Sequence, residues 1–134
     1  MEIVGYETLV RWQHPAYGLL FPDRFIPMAE RSGFVVPLGM EVIRLACEQL
    51  VTWQQQGVSA HPLAVNVSPI QLSEPGFCDL VRAEIDRHGL AQDMLELEIT
   101  ETAVLDAQAM ENLRCLNEAG ICLSLDDFGT GYAG

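Results

Sequence analysis

Basic residues are scarce in this chain. It carries seven Lys and Arg residues against 19 Asp and Glu residues in 134 positions, a formal net charge of −12. A nucleic acid polymer is therefore excluded as a partner, because its phosphates require clustered Lys and Arg. One arrangement escapes this repulsion: carboxylates gathered around divalent cations invert the local field and attract a phosphate. Function thus depends on whether the acidic residues cluster.

Long hydrophobic runs are also missing. No stretch approaches the roughly 20 consecutive apolar residues that a membrane-spanning helix needs. The N-terminus has neither the basic region nor the apolar region of a secretory signal. These absences predict a cytoplasmic protein with no membrane segment. Hydrophobic residues still make up 49% of the chain, which is enough to form the core of one domain over residues 1–134.

The cysteines follow no familiar ligand pattern. They form no Cys-x-x-Cys pair and have no histidine at metal-ligand spacing. We therefore predict buried free thiols rather than a zinc site or a disulfide framework at Cys47, Cys78, Cys115 and Cys122.

Apolar periodicity predicts that strands and helices alternate. Strands are expected at residues 3–12, 63–67, 94–100 and 121–126, helices at 22–31, 38–56, 77–88 and 107–119, and a loop at 13–22. A repeat of about 30 residues is the size of a βαβ unit and predicts a parallel sheet. The Gly-x-Gly-x-x-Gly fingerprint of a dinucleotide-binding fold is absent, which favours an α/β barrel over a doubly wound sheet.

A polar residue stands at or near the carboxyl end of every predicted strand. These residues are Glu7, Asn66, Glu98 and the pair Asp126 and Asp127. Such strand ends share one mouth of a barrel, where chemistry is located. Burying polar groups in apolar strands is costly, and a shared cation would offset that cost. Carboxylate and amide oxygens suit Mg²⁺ or Mn²⁺, and adjacent aspartates suit a two-ion site that acts on a phosphodiester.

Each residue also has an ordinary structural explanation. Glu7 fits a solvated strand edge, and Asn66 fits an Asx turn. Asp126 and Asp127 fit the start of a turn, and Glu96 is expected on the surface. The joint pattern, rather than any single residue, favours a metal site.

Five short segments carry further information. They are residues 6–15 (YETLVRWQHP), 25–30 (FIPMAE), 66–68 (NVS), 98–101 (EITE) and 126–132 (DDFGTGY). In order and in spacing they resemble the motifs of the EAL-domain family, named after Glu-Ala-Leu. Thr8 replaces the Ala of that name, a small change that we expect to have little effect.

The resemblance implies a TIM-like barrel that hydrolyses cyclic di-GMP to linear pGpG with two Mg²⁺ or Mn²⁺ ions. It assigns the first metal to Glu7, Asn66, Glu98 and Asp126. It assigns the second metal to Asp126 together with Asp127.

The same resemblance implies roles for three further residues. Leu9 would line the substrate pocket, and Arg11 would contact a substrate phosphate. Glu101 would anchor the loop of residues 128–132, which seats the second metal and supports dimerisation.

The resemblance further predicts a partial barrel, incomplete at both ends. It places the family's general base beyond Gly134 and a substrate-binding Gln before Met1, so this chain carries no predicted catalytic base and is expected to turn over poorly alone. A longer chain or a homo-oligomer, such as a dimer, would complete it. Two alternatives stay open: a non-catalytic module that binds cyclic di-GMP or a regulatory partner, and a fragment without nucleotide affinity.

Overall fold

The computed structural model describes residues 6–7, 12–14, 18–20, 22–58, 62–100 and 106–126. Its strands are β1 (Tyr6–Glu7), β2 (Trp12–His14), β3 (Gly18–Leu20), β4 (Leu63–Val67), β5 (Leu95–Thr100) and β6 (Cys122–Asp126). Its helices are α1 (Pro22–Ser32), α2 (Val35–Gln55), α3 (Pro69–Leu72), α4 (Phe77–Arg87) and α5 (Ala107–Glu118), with a 3₁₀ turn at Gln92–Met94.

Four strands form one parallel sheet in the order β1-β4-β5-β6. Each strand pairs with the next strand of the sheet along the chain, and helices occupy the connections between them. This progression is that of an α/β barrel and confirms the predicted fold class, of which the chain forms part.

The two faces of the sheet differ in burial. Along β5 burial alternates strictly: Leu95, Leu97 and Ile99 are buried, whereas Glu96 and Glu98 are half-buried. The buried face packs on α2, α4 and α5, which contribute to the same core cluster. Helices thus cover one face of the sheet, and the other face carries the polar residues.

Helix ends agree with the glycine signals of the sequence. Gly57 follows α2 with a φ of 74°, and Gly120 follows α5 with a φ of 90°. An L-residue rarely adopts this conformation, so glycine ends the helix at little cost. None of the helices in the described ranges is long and apolar enough to cross a bilayer.

Two local predictions were wrong, and one short helix was not predicted. The segment predicted as a loop contains an antiparallel hairpin, β2–β3. Pro22 begins α1 rather than ending the loop, as position N1 of a helix tolerates proline. The structure also adds the short α3, and it begins α2 at Val35, three residues before the predicted start.

The cysteine prediction needs a correction as well. Cys78 on α4 and Cys115 on α5 form a disulfide with a Cα–Cα distance of 6.1 Å. Cys47 is free and buried, as predicted, whereas Cys122 is free but only half-buried. Burial raises the pKa of the Cys47 thiol to about 11, so this thiol stays protonated and unreactive in the folded chain.

Candidate functional site

The polar face of the sheet brings two predicted ligands together. Asn66 on β4 lies directly opposite Glu98 on β5 in the parallel register. Neighbouring strands are about 4.8 Å apart, so these positions are adjacent across the ladder. Asn66 is exposed and Glu98 is half-buried, in strands that otherwise present buried apolar residues to the helices.

The other two residues predicted to bind the first metal, Glu7 and Asp126, lie on the outer strands and are offset along them relative to Asn66 and Glu98. Glu7 pairs with Ala64, two residues before Asn66. Asp126 pairs with Thr100, two residues beyond Glu98. A barrel of eight strands with a shear of 8 advances about one residue per strand at constant height. The offsets here are two, zero and two residues across the three strand pairs, or slightly more than one residue per strand. The backbone therefore places all four positions near one level of the barrel and on the same face of the sheet.

A second carboxylate lies next to this row. Glu96 precedes Glu98 by two residues and occupies the same face of β5. The Ser124 hydroxyl of β6 donates a hydrogen bond to Glu96 Oε2 at 3.2 Å. Ser124 also stands opposite Glu98 in the register. Glu96 is therefore part of the polar face, which corrects the prediction of a surface residue.

The electrostatics of this face are acidic. Every arginine whose side chain is described lies on a helix, namely Arg31, Arg44, Arg82, Arg87 and Arg114. Two of these are paired on their own helices, Arg44 with Glu41 and Glu48 and Arg87 with Glu84. No described arginine thus lies on the strands that carry Glu96 and Glu98. A phosphate would be repelled from these carboxylates unless a cation intervened.

The loop that leaves β4 is held from two directions. Ser68, two residues after Asn66, caps α3 by accepting a hydrogen bond from Ile70 N at 3.3 Å. Its backbone N–H donates to Gln71 Oε1 at 3.0 Å, which completes a capping box. Its hydroxyl donates to Glu30 Oε2 at 2.6 Å, and Glu30 comes from the last turn of α1.

The hydrogen bond between Ser68 and Glu30 was not predicted, although each residue lies in one of the five motif segments. Glu30 ends the FIPMAE segment and Ser68 ends the NVS segment. Local sequence patterns do not indicate a contact between residues that are 38 positions apart. The only signal was that both residues belong to the same set of motifs.

Other predicted site residues lie outside the described ranges. These are Leu9, Arg11, Glu101 and Asp127, and their roles stay predictions. Among the described residues no three His, Cys, Asp or Glu side chains form a metal-binding group. The described portion of the site is therefore the row of strand positions and the adjacent Glu96.

Comparison with known proteins identifies the family. The EAL domain model matches residues 1–134. Among curated relatives, the chain is 42% identical over 133 residues to the bifunctional diguanylate cyclase/cyclic di-GMP phosphodiesterase MucR of Pseudomonas aeruginosa, covering 98% of this chain and 19% of MucR. It is 44% identical over 135 residues to an uncharacterised protein of Mycobacterium tuberculosis, covering 98% of this chain and 22% of that protein.

Solved structures agree with this result. A MucR phosphodiesterase in complex with c-di-GMP superposes with a TM-score of 0.89 at 38% identity, over 99% of this chain and 55% of that one. The EAL enzyme Bd1971, bound to cAMP and cyclic di-GMP, gives a TM-score of 0.85 at 31% identity, over 98% of this chain and 37% of that one. The chain thus spans about a fifth of the curated relatives and about half of the MucR structure. By its motifs, its fold and these matches, the chain belongs to the EAL domain family.

Proposed function

We propose that this chain is the metal-binding part of a phosphodiesterase domain that hydrolyses cyclic di-GMP to linear pGpG. The observation that carries the proposal is the row of Glu7, Asn66, Glu98 and Asp126 across four neighbouring parallel strands. The complex of the related MucR phosphodiesterase with c-di-GMP supports this choice of substrate.

The donor set of this row fits a hard divalent cation. It consists of three carboxylates and one amide, without imidazole or thiolate, and such oxygens suit Mg²⁺ or Mn²⁺. Burial first, and then the charges of Asp93 and Glu96, raise the pKa of the Cys122 thiol, which disfavours the thiolate form.

Each predicted residue has a defined task in this proposal. Glu7, Asn66, Glu98 and Asp126 would hold the first ion, and Asp126 with Asp127 the second. When bound, the ions supply a nucleophilic water and a clamp for the phosphodiester oxygens. Arg11 would orient a substrate phosphate through charge-assisted hydrogen bonds, and Leu9 would line the pocket.

The hydrolysis consumes one water and breaks one P–O bond, which opens the ring of the dinucleotide. The water proton must pass to a base, and none of the residues proposed as ligands is available for that role. Mn²⁺ binding is the primary measurement, because it tests the proposed ligands independently of the base.

Glu98→Gln is expected to weaken Mn²⁺ binding by more than about 100-fold, since an amide removes the charge that a hard cation requires. Glu111→Gln is the matched control, because it makes the same change at an exposed carboxylate on α5, outside the strands that carry the row. It should leave Mn²⁺ affinity within a few-fold of the unmodified chain. Titration calorimetry measures both, and chromatography of cyclic di-GMP and pGpG measures turnover in the same samples.

Two results would count against the proposal. Equal Mn²⁺ affinity in the unmodified chain and in Glu98→Gln would show that the row does not bind metal. Cyclic di-GMP binding that is unchanged in chelator, without turnover, would favour a non-catalytic binding module instead.

We also propose that the edge of the described sheet at β6 is covered either by a further segment of a longer chain or by a second copy of this one. Leu125 is 71% exposed and Met110 on α5 is 48% exposed. Both line an apolar groove of about 350 Å³ between α5 and β6. An open edge beside exposed apolar side chains is a site for further pairing.

Leu125→Glu is expected to shift the chain from a dimer towards a monomer, because desolvating a carboxylate at an apolar contact opposes association. Leu80→Glu is the control, since Leu80 is 49% exposed on α4, away from this edge. Sedimentation velocity over a range of concentrations measures the shift. A cooperatively folded monomer at high concentration, before any substitution, would exclude the association.

A further inference from the structure

We infer that Glu30 is a positioning residue for Asn66, acting through the hydroxyl of Ser68. The inference rests on the proposed metal site, because it assigns Glu30 the task of orienting one of the ligands. Glu30 itself belongs to α1 and is not among the proposed ligands.

The first step is the state of the Ser68 hydroxyl. A hydroxyl has one proton and two lone pairs. The proton is donated to Glu30 Oε2 at 2.6 Å, and a lone pair accepts from Ile70 N at 3.3 Å. The short distance is typical of a hydrogen bond to a charged carboxylate. Glu30 therefore fixes the rotation of this hydroxyl, and with it the capping contact.

The second step is the connection from the cap to the ligand. Ser68 is the residue at which β4 gives way to α3, and Asn66 precedes it by two residues. The capping box binds the Ser68 backbone through Gln71 Oε1 at 3.0 Å. The pairing of β4 with β5 sets the backbone of Asn66, and its exposed side chain leaves room for other rotamers. Ser68 holds the strand end next to Asn66, so the capping contacts add to the pairing in restricting that side chain.

The third step concerns the location of Glu30. It lies in the last turn of α1, where the helix dipole disfavours a negative charge. It is also half-buried, which adds a desolvation cost. The bond to Ser68 offsets these costs and crosses 38 residues of sequence. A tertiary contact of this kind, made at the end of a ligand-bearing strand, is placed to hold that ligand still.

Glu30→Ala is expected to weaken Mn²⁺ binding about tenfold, the effect typical of losing an outer contact of a metal site. Glu30→Gln should restore most of the affinity, since an amide oxygen still accepts from Ser68. Glu111→Ala removes an exposed carboxylate from α5 and should change nothing. In a Ser68→Ala background, Glu30→Ala should add less than about twofold, because the route is already broken.

A second measurement does not depend on metal. In the metal-free chain, the carboxamide signals of Asn66 are followed by ¹⁵N NMR and assigned through their loss in Asn66→Asp. Glu30→Ala should shift or broaden these signals, Glu30→Gln should return them, and Glu111→Ala should leave them in place. Urea unfolding of each variant shows whether general destabilisation accompanies the change.

The two measurements separate the possible failures. If the unmodified chain binds no Mn²⁺, the proposed metal site fails, whereas the Asn66 signals still decide the role of Glu30. Unchanged Asn66 signals in Glu30→Ala, with or without a loss of stability, would overturn the positioning role. So would full additivity of Glu30→Ala and Ser68→Ala in Mn²⁺ affinity.

Discussion

Replacing Gly39 by alanine is expected to lower the free energy of unfolding by about 2–4 kcal/mol, combining overpacking with a lost hydrogen bond. Gly39 lies buried on α2, facing the side chain of Gln71. A Cβ at this position would lie 1.7 Å from Gln71 Nε2 and 2.2 Å from Cδ. No relaxation of a tenth of an ångström removes such an overlap, so the amide must move away.

The displaced amide explains why the effect extends to the site. Gln71 is itself buried and accepts the hydrogen bond from Ser68 N. Its displacement leaves that donor without its partner and loosens the residue that follows the proposed ligand strand. Gly39→Ala should therefore also weaken Mn²⁺ binding, although Gly39 lies on another helix.

The control is the same substitution in a Gln71→Ala background. There the clashing amide is gone, and alanine is a better helix former than glycine by about 1 kcal/mol. Gly39→Ala is then expected to be neutral or stabilising, which reverses its sign. Urea unfolding followed by circular dichroism measures all four variants. Equal destabilisation in both backgrounds would show that the Gln71 contact is not the cause.

Breaking the disulfide between Cys78 and Cys115 is expected to cause the second large loss of stability. The bond joins α4 to α5 across a sequence separation of 37 residues. Closing a loop of this length restricts the unfolded chain and contributes about 4 kcal/mol in the loop-entropy treatment. The double variant Cys78→Ala with Cys115→Ala is expected to lose most of that amount from its free energy of unfolding. Relaxation of the packing between the two helices should recover the remainder.

The thiols themselves provide the direct test. Alkylation in denaturant without reductant should label two cysteines, Cys47 and Cys122, and mass spectrometry should find the other two bonded. The double variant Cys47→Ala with Cys122→Ala is the matched control and keeps the bond. Labelling of all four cysteines in freshly purified protein would show that the helices are not linked.

Much of the fold could be predicted from the sequence because its signals are local. The apolar run of β4 and the periodicity of α4 and α5 gave elements that end within one residue of the observed ones. Gly57 and Gly120 marked helix ends, since a positive φ is required where they stand. The spacing of Asn66 and Glu98 by about one βαβ unit predicted that they would become neighbours, and the register confirms it.

Most of the features that were missed depend on contacts between residues distant in sequence. The hairpin of β2 and β3 is the local exception, since the prolines and glycine of residues 13–22 suggested a loop. Cys78 and Cys115 pair because α4 packs beside α5, and the spacing of cysteines in sequence does not report packing. Glu96 was judged by its charge, whereas its place on the pleat and the hydroxyl of Ser124 put it on the polar face.

The sequence by itself determined the family, the alternation of strands and helices, and the row of proposed oxygen ligands, because motifs and periodicity are properties of neighbouring residues. Only the tertiary structure decided the stagger of that row, the disulfide, the fit of Gln71 against Gly39 and the contact of Glu30 with Ser68. These depend on how separate helices and strands pack, and close packing is a property of the assembled core rather than of any segment.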